Sequence, residues 1–289
     1  MAVAGTLHRD DITTPYGRRT ADGGSAVYFA VAAARYTRVF LNGVVGRDTE
    51  AAHRLLLSRL PIDLDGLVVS DAPTVVWHVE HDFERWVTRS EATEAGCDGE
   101  WPGTLAAESR TAPVLFLASL DPAKQLAALH GSGARLVGAD SMTVFMGDRA
   151  GAVREVAAGS DILFLNAAEA QALSGEPEWH AAARALLGIG RVRAVVVKRG
   201  PLGAACVTRA RVAELPAIDV SPVVDPTGAG DALAGGFLGY CAAVERDDDE
   251  VFAPALQHGI RCAADAIAAF GVEGLRRGSL AGAAGPGDV

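Results

Sequence analysis

The segment Asp225-Pro226-Thr227-Gly228-Ala229-Gly230-Asp231, with the apolar run 232–240 behind it, constrains the fold more than any other stretch of the chain. Pro and two glycines break regular structure, and the run that follows reads as a helix of small residues (Ala232, Ala234, Gly235, Gly236, Gly239) packed close to a sheet. A Gly-Ala-Gly turn that opens a helix leaves several backbone N–H groups without intrahelical partners. Those groups, at the positive end of the helix dipole, form a site for an anion such as phosphate. Asp231 stands at its edge. A base beside an anion hole is what transfer of phosphate to a hydroxyl requires. The same residues also suit an ordinary Gly-rich loop with Asp231 as a helix N-cap.

The rest of the chain supplies the sheet. Apolar runs at Met1–Leu7, Val39–Val45, Leu67–Ser70, Val114–Ala118, Arg135–Ala139, Asp161–Leu165 and Ala194–Lys198 predict buried strands. Helical stretches separate most of them, at 25–36, 49–60, 122–130, 147–157, 167–174 and 178–188. Strand–helix alternation at this spacing implies parallel βαβ units covered on both faces. With 289 residues, 49% of them hydrophobic and 33 of them Gly, the chain can build a large, closely packed core. Phe252, Leu256, Ile260, Ala263, Ile267 and Phe270 recur at helical spacing and predict one long amphipathic helix after Asp247-Asp248-Asp249-Glu250. Residues 94–111 read as a loop, and the tail from Gly278 as frayed.

Two stretches break the pattern. Residues 73–91 hold two alternating strands with no crossover helix, and residues 12–22 suit another. They predict a small β-lid inserted in a single domain spanning 1–289; a surface hairpin extending the main sheet is the alternative. Trp77 and Trp86 lie on the lid, either stacking on a substrate or packing the lid itself.

The formal net charge of −10 argues against a nucleic-acid or membrane-surface partner. No stretch approaches the roughly 20 apolar residues of a spanning helix, and there is no secretory apolar segment at the start. Cys97, Cys206, Cys241 and Cys262 are dispersed, which predicts reduced thiols in a cytoplasmic protein. No Gly-x-x-x-x-Gly-Lys-Ser/Thr loop surrounds Lys124 or Lys198, the two lysines of the chain, and no Gly-x-Gly-x-x-Gly follows the first strand. His8-Arg9-Asp10 mimics a protein-kinase catalytic loop, but its companion motifs are missing.

Asp225 to Asp231 resembles the C-terminal signature of the ribokinase-like (PfkB) carbohydrate and nucleoside kinases. Three further pieces lie in the family's order: Gly23-Gly24-Ser25 through Arg35, Gly43-Val44-Val45-Gly46-Arg47-Asp48, and Leu165-Asn166-Ala167-Ala168-Glu169. The resemblance implies a three-layer α/β/α core with a mainly parallel sheet and a small β-lid. It implies an ATP-dependent kinase acting on a hydroxymethyl group of a sugar or sugar-like acceptor. A nucleoside, a cyclitol, or a catalytically silent binding protein on the same fold are the alternatives. It implies Asp231 as base and Gly228, Ala229 and Gly230 as anion hole. The acceptor side falls to Asp10, Gly23, Gly24, Tyr28 and Trp77; many sugar kinases carry Asn where this chain has Tyr28, and Thr where it has Ala232. The nucleotide side falls to Asn166, Lys198, Gly200, Gly203 and Thr227. Asn166 and Glu169 would act through water on Mg²⁺, a capping pair being the other possibility. Asp225 would help hold a monovalent cation, K⁺, or simply form the turn before Pro226. Several relatives pair their lids, which implies a homodimer here.

Overall fold

The computed structural model describes residues 1–84, 87–92 and 96–280. In chain order the strands are β1 (Ala2–Ala4), β2 (His8–Thr14), β3 (Gly17–Gly23), β4 (Val39–Gly46), β5 (Ile62–Ser70), β6 (Val76–Asp82), β7 (Val87–Ala92), β8 (Val114–Leu117), β9 (Leu136–Asp140), β10 (Ile162–Asn166), β11 (Ala194–Lys198), β12 (Ala204–Thr208) and β13 (Val212–Leu215). The helices are α1 (Ser25–Ala33), α2 (Glu50–Leu57), α3 (Ala107–Arg110), α4 (Pro122–His130), α5 (Ala150–Ala158), α6 (Ala167–Ser174), α7 (Trp179–Leu186), α8 (Ala229–Ala243), α9 (Asp249–Ile267) and α10 (Glu273–Leu280).

Nine strands form one sheet in the order β13-β12-β11-β10-β9-β8-β1-β4-β5. From β11 to β5 every pairing is parallel; β12 and β13 add antiparallel. Strand alternation divides the core in two. Val3, Phe116, Phe164 and Val196 face α1, α8 and α9, while Leu115, Leu117, Leu163, Leu165, Val195 and Val197 face α4 to α7. The result is the three-layer α/β/α arrangement expected of such alternation.

Helix α8 shows why its small residues are there. A Cβ at Gly235 would stand 2.5 Å from the Phe29 carbonyl oxygen of α1, and one at Gly236 would stand 2.7 Å from that of His258 in α9. The helix is thus clamped between two neighbours at backbone distance. Phe29 stacks on Phe116 at 4.1 Å, and the chain of rings continues edge-on to Phe164 and Phe237, locking α1 and α8 to the middle of the sheet.

A second sheet, in the order β3-β2-β6-β7, forms the lid. Its central pairing, β2 with β6, is parallel, and the outer two are antiparallel. The predicted first strand is shorter than its apolar run. The chain leaves the main sheet at Gly5, and His8 to Asp11 already belong to the lid rather than to the end of a core strand. Residues 96–111, expected as part of a loop, contain a 3-10 turn at Cys97–Glu100 and α3, pinned by the buried Cys97, Trp101 and Leu105. Gly278 belongs to α10; the rest of the predicted frayed tail, 281–289, lies outside the described residues, as does Trp86. The four cysteines are buried and free, and no helix among the described residues is long and apolar enough to cross a membrane.

Candidate active site

The lid faces the edge of the main sheet where the parallel strands end, the edge at which open α/β sheets bind ligands. Gly228 caps α8 with φ +71, a conformation natural to glycine. A Cβ at Gly228 would fall inside the Tyr28 ring. The missing side chain therefore makes room for that ring. At Gly230 a Cβ would stand 3.2 Å from Lys198 Nζ, so the ammonium hangs over the opening turn of the helix. Ahead of the turn, Asp225 is wholly buried. It accepts the Thr227 and Gly271 N–H groups, each at 2.9 Å, and so pins the loop on both sides.

Asp231 lies in the first turn of α8, three residues past the cap, so it does not occupy the N-cap position itself. Burial, reinforced by the Asp140 carboxylate and only partly offset by Lys198, holds its carboxyl well above the usual range. Lys198 ends β11 and donates to Asp140 Oδ2 at 2.6 Å. Burial works against its charge, but Asp140 and Glu169 outweigh it and raise the Lys198 pKa. Glu169 is pushed up to about 7, first by burial and then by Asp140, with Lys198 opposing. Asn166 and Glu169 form a reciprocal capping box at the start of α6, Asn166 Oδ1 accepting the Glu169 N–H at 2.9 Å and Glu169 Oε2 the Asn166 N–H at 2.8 Å. The other oxygen of Glu169 makes no hydrogen bond among the described residues. Among the described residues no three acidic, imidazole or thiol groups converge as a metal cage.

Asp10 sits on β2, 2% exposed, with Gly23 directly against its carboxylate. Tyr28 donates its hydroxyl to Asp10 Oδ2 at 3.2 Å. Burial raises the Asp10 pKa to about 6 against the pull of His8, the Tyr28 hydroxyl and the Gly24 N–H. Tyr28, 1% exposed, bridges the two halves of the site: its ring abuts Gly228 and its hydroxyl holds Asp10. Trp77 pairs with Asp10 across β2 and β6 and lies parallel to the His8 ring at 6.0 Å. His8 in turn reaches Asp98 at 2.7 Å.

On the other side of the turn, a cavity of about 640 Å³ runs between the Lys198–Gly203 hairpin, residues 217–220, the Pro226–Gly230 loop and the α9 side chains Ile260, Ala264 and Ile267. Lid residues His81 and Phe83 close its mouth. Gly200 and Gly203 line it, both with positive φ. Thr227 turns its hydroxyl to His81 Nε2 at 2.9 Å.

Sequence reasoning overlooked Asp140, His81 and the His8–Asp98 pair. Asp140 had a signal: it ends an apolar strand at the ligand-binding edge, like Asn166 and Lys198. The histidines had none, because their partners come from distant parts of the chain.

An anion-binding helix start with an adjacent carboxylate, a cavity of about 640 Å³ on one side and the buried lid carboxylate Asp10 on the other fit an ATP-dependent small-molecule kinase. Residues 120–274 match the model of the pfkB family carbohydrate kinases. The chain is 31% identical over 252 residues to the cytidine kinase of Thermococcus kodakarensis, covering 83% of this chain and 88% of that one. It therefore belongs to the PfkB family, and it is a phosphotransferase with an alcohol group as acceptor. Among solved structures, the nucleoside kinase of Methanocaldococcus jannaschii superposes with a TM-score of 0.74 at 21% identity, over 96% of this chain and 98% of that one. The fructokinase of Vibrio cholerae O395, bound to fructose, ADP and calcium, gives 0.77 at 20% identity, over 97% and 98%. Both establish the ribokinase-like fold.

Proposed function

We propose that this kinase transfers the γ-phosphoryl group of ATP to the hydroxymethyl group of a nucleoside, with Asp231 as general base. One observation carries the assignment of the base: Asp231 stands on the first turn of α8, next to Gly230 of the cavity wall and above N–H groups that have no helical partners, and its carboxyl feels the charge of Asp10. The acceptor oxygen attacks the γ-phosphorus, its proton passes to the Asp231 carboxylate, and ADP leaves. The N–H groups of Gly228, Ala229 and Gly230 and the Lys198 ammonium receive the charge on the transferred group. Asp10 accepts from an acceptor hydroxyl; Gly23 leaves room for the Asp10 carboxylate itself, and Gly24 for the backbone of residues 6–8. Tyr28, wholly buried, serves this site by holding Asp10 rather than by lining it.

Glu169, which keeps one oxygen out of the capping box, and Asn166 fit a Mg²⁺ ion held through water. Such an ion, when bound, neutralises the phosphates. Asp225 fits a monovalent cation: it is fully buried, and among the described residues no Lys or Arg stands within ion-pair distance of it. Gly200, Gly203 and Thr227 line or border the nucleotide cavity. The exposed outer strand of the lid, Gly17 to Thr20, with Tyr16 at its tip, supports pairing of lids in a homodimer.

A nucleoside is favoured over a free sugar on two grounds. Trp77 and His8 set a parallel aromatic pair beside Asp10, a surface suited to a base. The relative at 31% identity is a cytidine kinase. A coupled ADP-release screen of cytidine, adenosine, ribose, fructose and inositol tests this. A nucleoside should exceed every free sugar at least ten-fold in kcat/KM; ribose or fructose as the best acceptor refutes it.

A further inference from the structure

His81 is the one lid side chain that reaches the phosphate-facing turn through a hydrogen bond among the described residues. It lies on β6, 6% exposed. Its Nδ1 meets Thr88 Oγ1 at 3.0 Å, its cross-strand neighbour on β7. Its Nε2 meets Thr227 Oγ1 at 2.9 Å and stands 3.7 Å from Asp225 Oδ1. Thr227 in turn donates its N–H to Asp225, and Gly228 follows immediately. A continuous polar chain thus runs from the outer lid strand through an imidazole to the residue before the anion hole. Both ring nitrogens face hydroxyls, and a hydroxyl can donate or accept. With Nδ1–H donating to Thr88, Nε2 accepts the Thr227 proton and fixes that hydroxyl towards the lid. Burial holds the His81 pKa below its usual value despite Asp225, in keeping with a neutral ring.

We propose that His81 is a positioning residue that latches the lid to the phosphate-facing turn, so that closure over the acceptor and ordering of the Gly228–Gly230 N–H groups are one event. It rests on the assignment of that turn and Asp231 given above. The lid strands β2 and β6 carry Asp10 and Trp77 as well as His81, so one rigid sheet would hold the acceptor and brace the anion hole together. The latch makes a bound acceptor favourable to phosphate binding, because each fixes the same element.

The test uses His81→Phe, His81→Gln, Thr227→Val and the double variant His81→Phe/Thr227→Val in the full chain. Hydrogen exchange is read without any acceptor. In His81→Phe the amides of 225–231 should exchange roughly five- to ten-fold faster, the size of one buried hydrogen bond, while the central strands β8 to β11 stay unchanged. Kinetics use ATP and whichever acceptor has the highest kcat/KM in the screen. His81→Phe should lower kcat by a similar factor with acceptor KM within about three-fold, and His81→Gln, which keeps a polar group towards Thr227, should recover most of it. The double variant should be no slower than the worse single. Unchanged exchange at 225–231, uniformly faster exchange across the sheet, a wild-type kcat in His81→Phe or multiplicative losses in the double variant each overturn the latch. Asp231→Asn, assayed beside these, separates the two ideas: wild-type turnover there removes the base, whereas the exchange result at 225–231 stands or falls by itself.

Discussion

Replacing Asp10 with Asn should make the free protein more stable and the enzyme worse. The Asp10 carboxyl is 2% exposed, and burial lifts its pKa from 3.8 to about 6. A group whose pKa is raised by folding contributes stability below its unfolded pKa and loses it as pH climbs through the folded one. The loss therefore falls between about pH 4 and 6. At pH 8 the ionised Asp10 costs the ligand-free fold on the order of 3 kcal/mol relative to its protonated form. Asn cannot titrate, and it can still accept from Tyr28. At roughly 2 °C per kcal/mol for a chain of this size, Asp10→Asn should melt about 5 °C above wild type at pH 8. The gap should narrow as pH is lowered towards 4. Function should move the other way. Losing a charged acceptor for a hydroxyl is worth about 1.5–3 kcal/mol, so the acceptor KM should rise roughly 10- to 150-fold. Scanning fluorimetry from pH 4 to 8, acceptor kinetics and ATP calorimetry make the measurement. A variant less stable than wild type at pH 8, or a gap indifferent to pH, refutes the assignment of burial as the cause. Weakened ATP with unaltered acceptor KM would mean that the two ends of the site are interchanged.

Asp231→Asn should retain ATP affinity while kcat falls roughly 10²- to 10⁴-fold, the usual worth of general-base help; turnover within a few-fold of wild type removes Asp231 from that role. Lys198→Met should raise the KM for ATP and also lower the melting temperature, because it strands Asp140 and Glu169 together; breaking a buried pair costs about 3–5 kcal/mol. An unchanged melting temperature would show that the Lys198–Asp140 contact of 2.6 Å is energetically idle. Light scattering at micromolar concentration should give twice the chain mass of 29.8 kDa; a clean monomer, with and without ATP, rules out lid pairing.

What the sequence displayed and what it hid divide along one physical line. The main sheet, the helix start at Gly228 and the edge residues Asn166 and Lys198 are encoded locally, by an apolar run, a glycine turn, or a polar residue ending a strand. The lid also announced itself through strands without a crossover helix, but its membership did not. Met1 to Leu7 is buried but for the half-buried Thr6, so hydropathy cannot tell that β1 stops at Ala4 and that Asp10 rides on a lid strand. The long amphipathic stretch was legible as α9, whereas the buried Trp101 and Leu105 that anchor residues 97–111 stand among polar neighbours and carry no period. Val75 and Val79, on the lid's apolar face, are buried within the single chain, so the case for a dimer rests on the exposed β3 edge. Tyr28 marks where one-dimensional reasoning stops. In sequence it is a departure from the Asn of many sugar kinases. In the fold its ring fills the space that a Cβ at Gly228 would need, 200 residues away, and its hydroxyl holds Asp10. Gly228 and Tyr28 are therefore one feature, an absence matched to a ring. A side chain introduced at Gly228 would displace Tyr28 and, through it, Asp10, so damage to the phosphate turn would also appear at the acceptor.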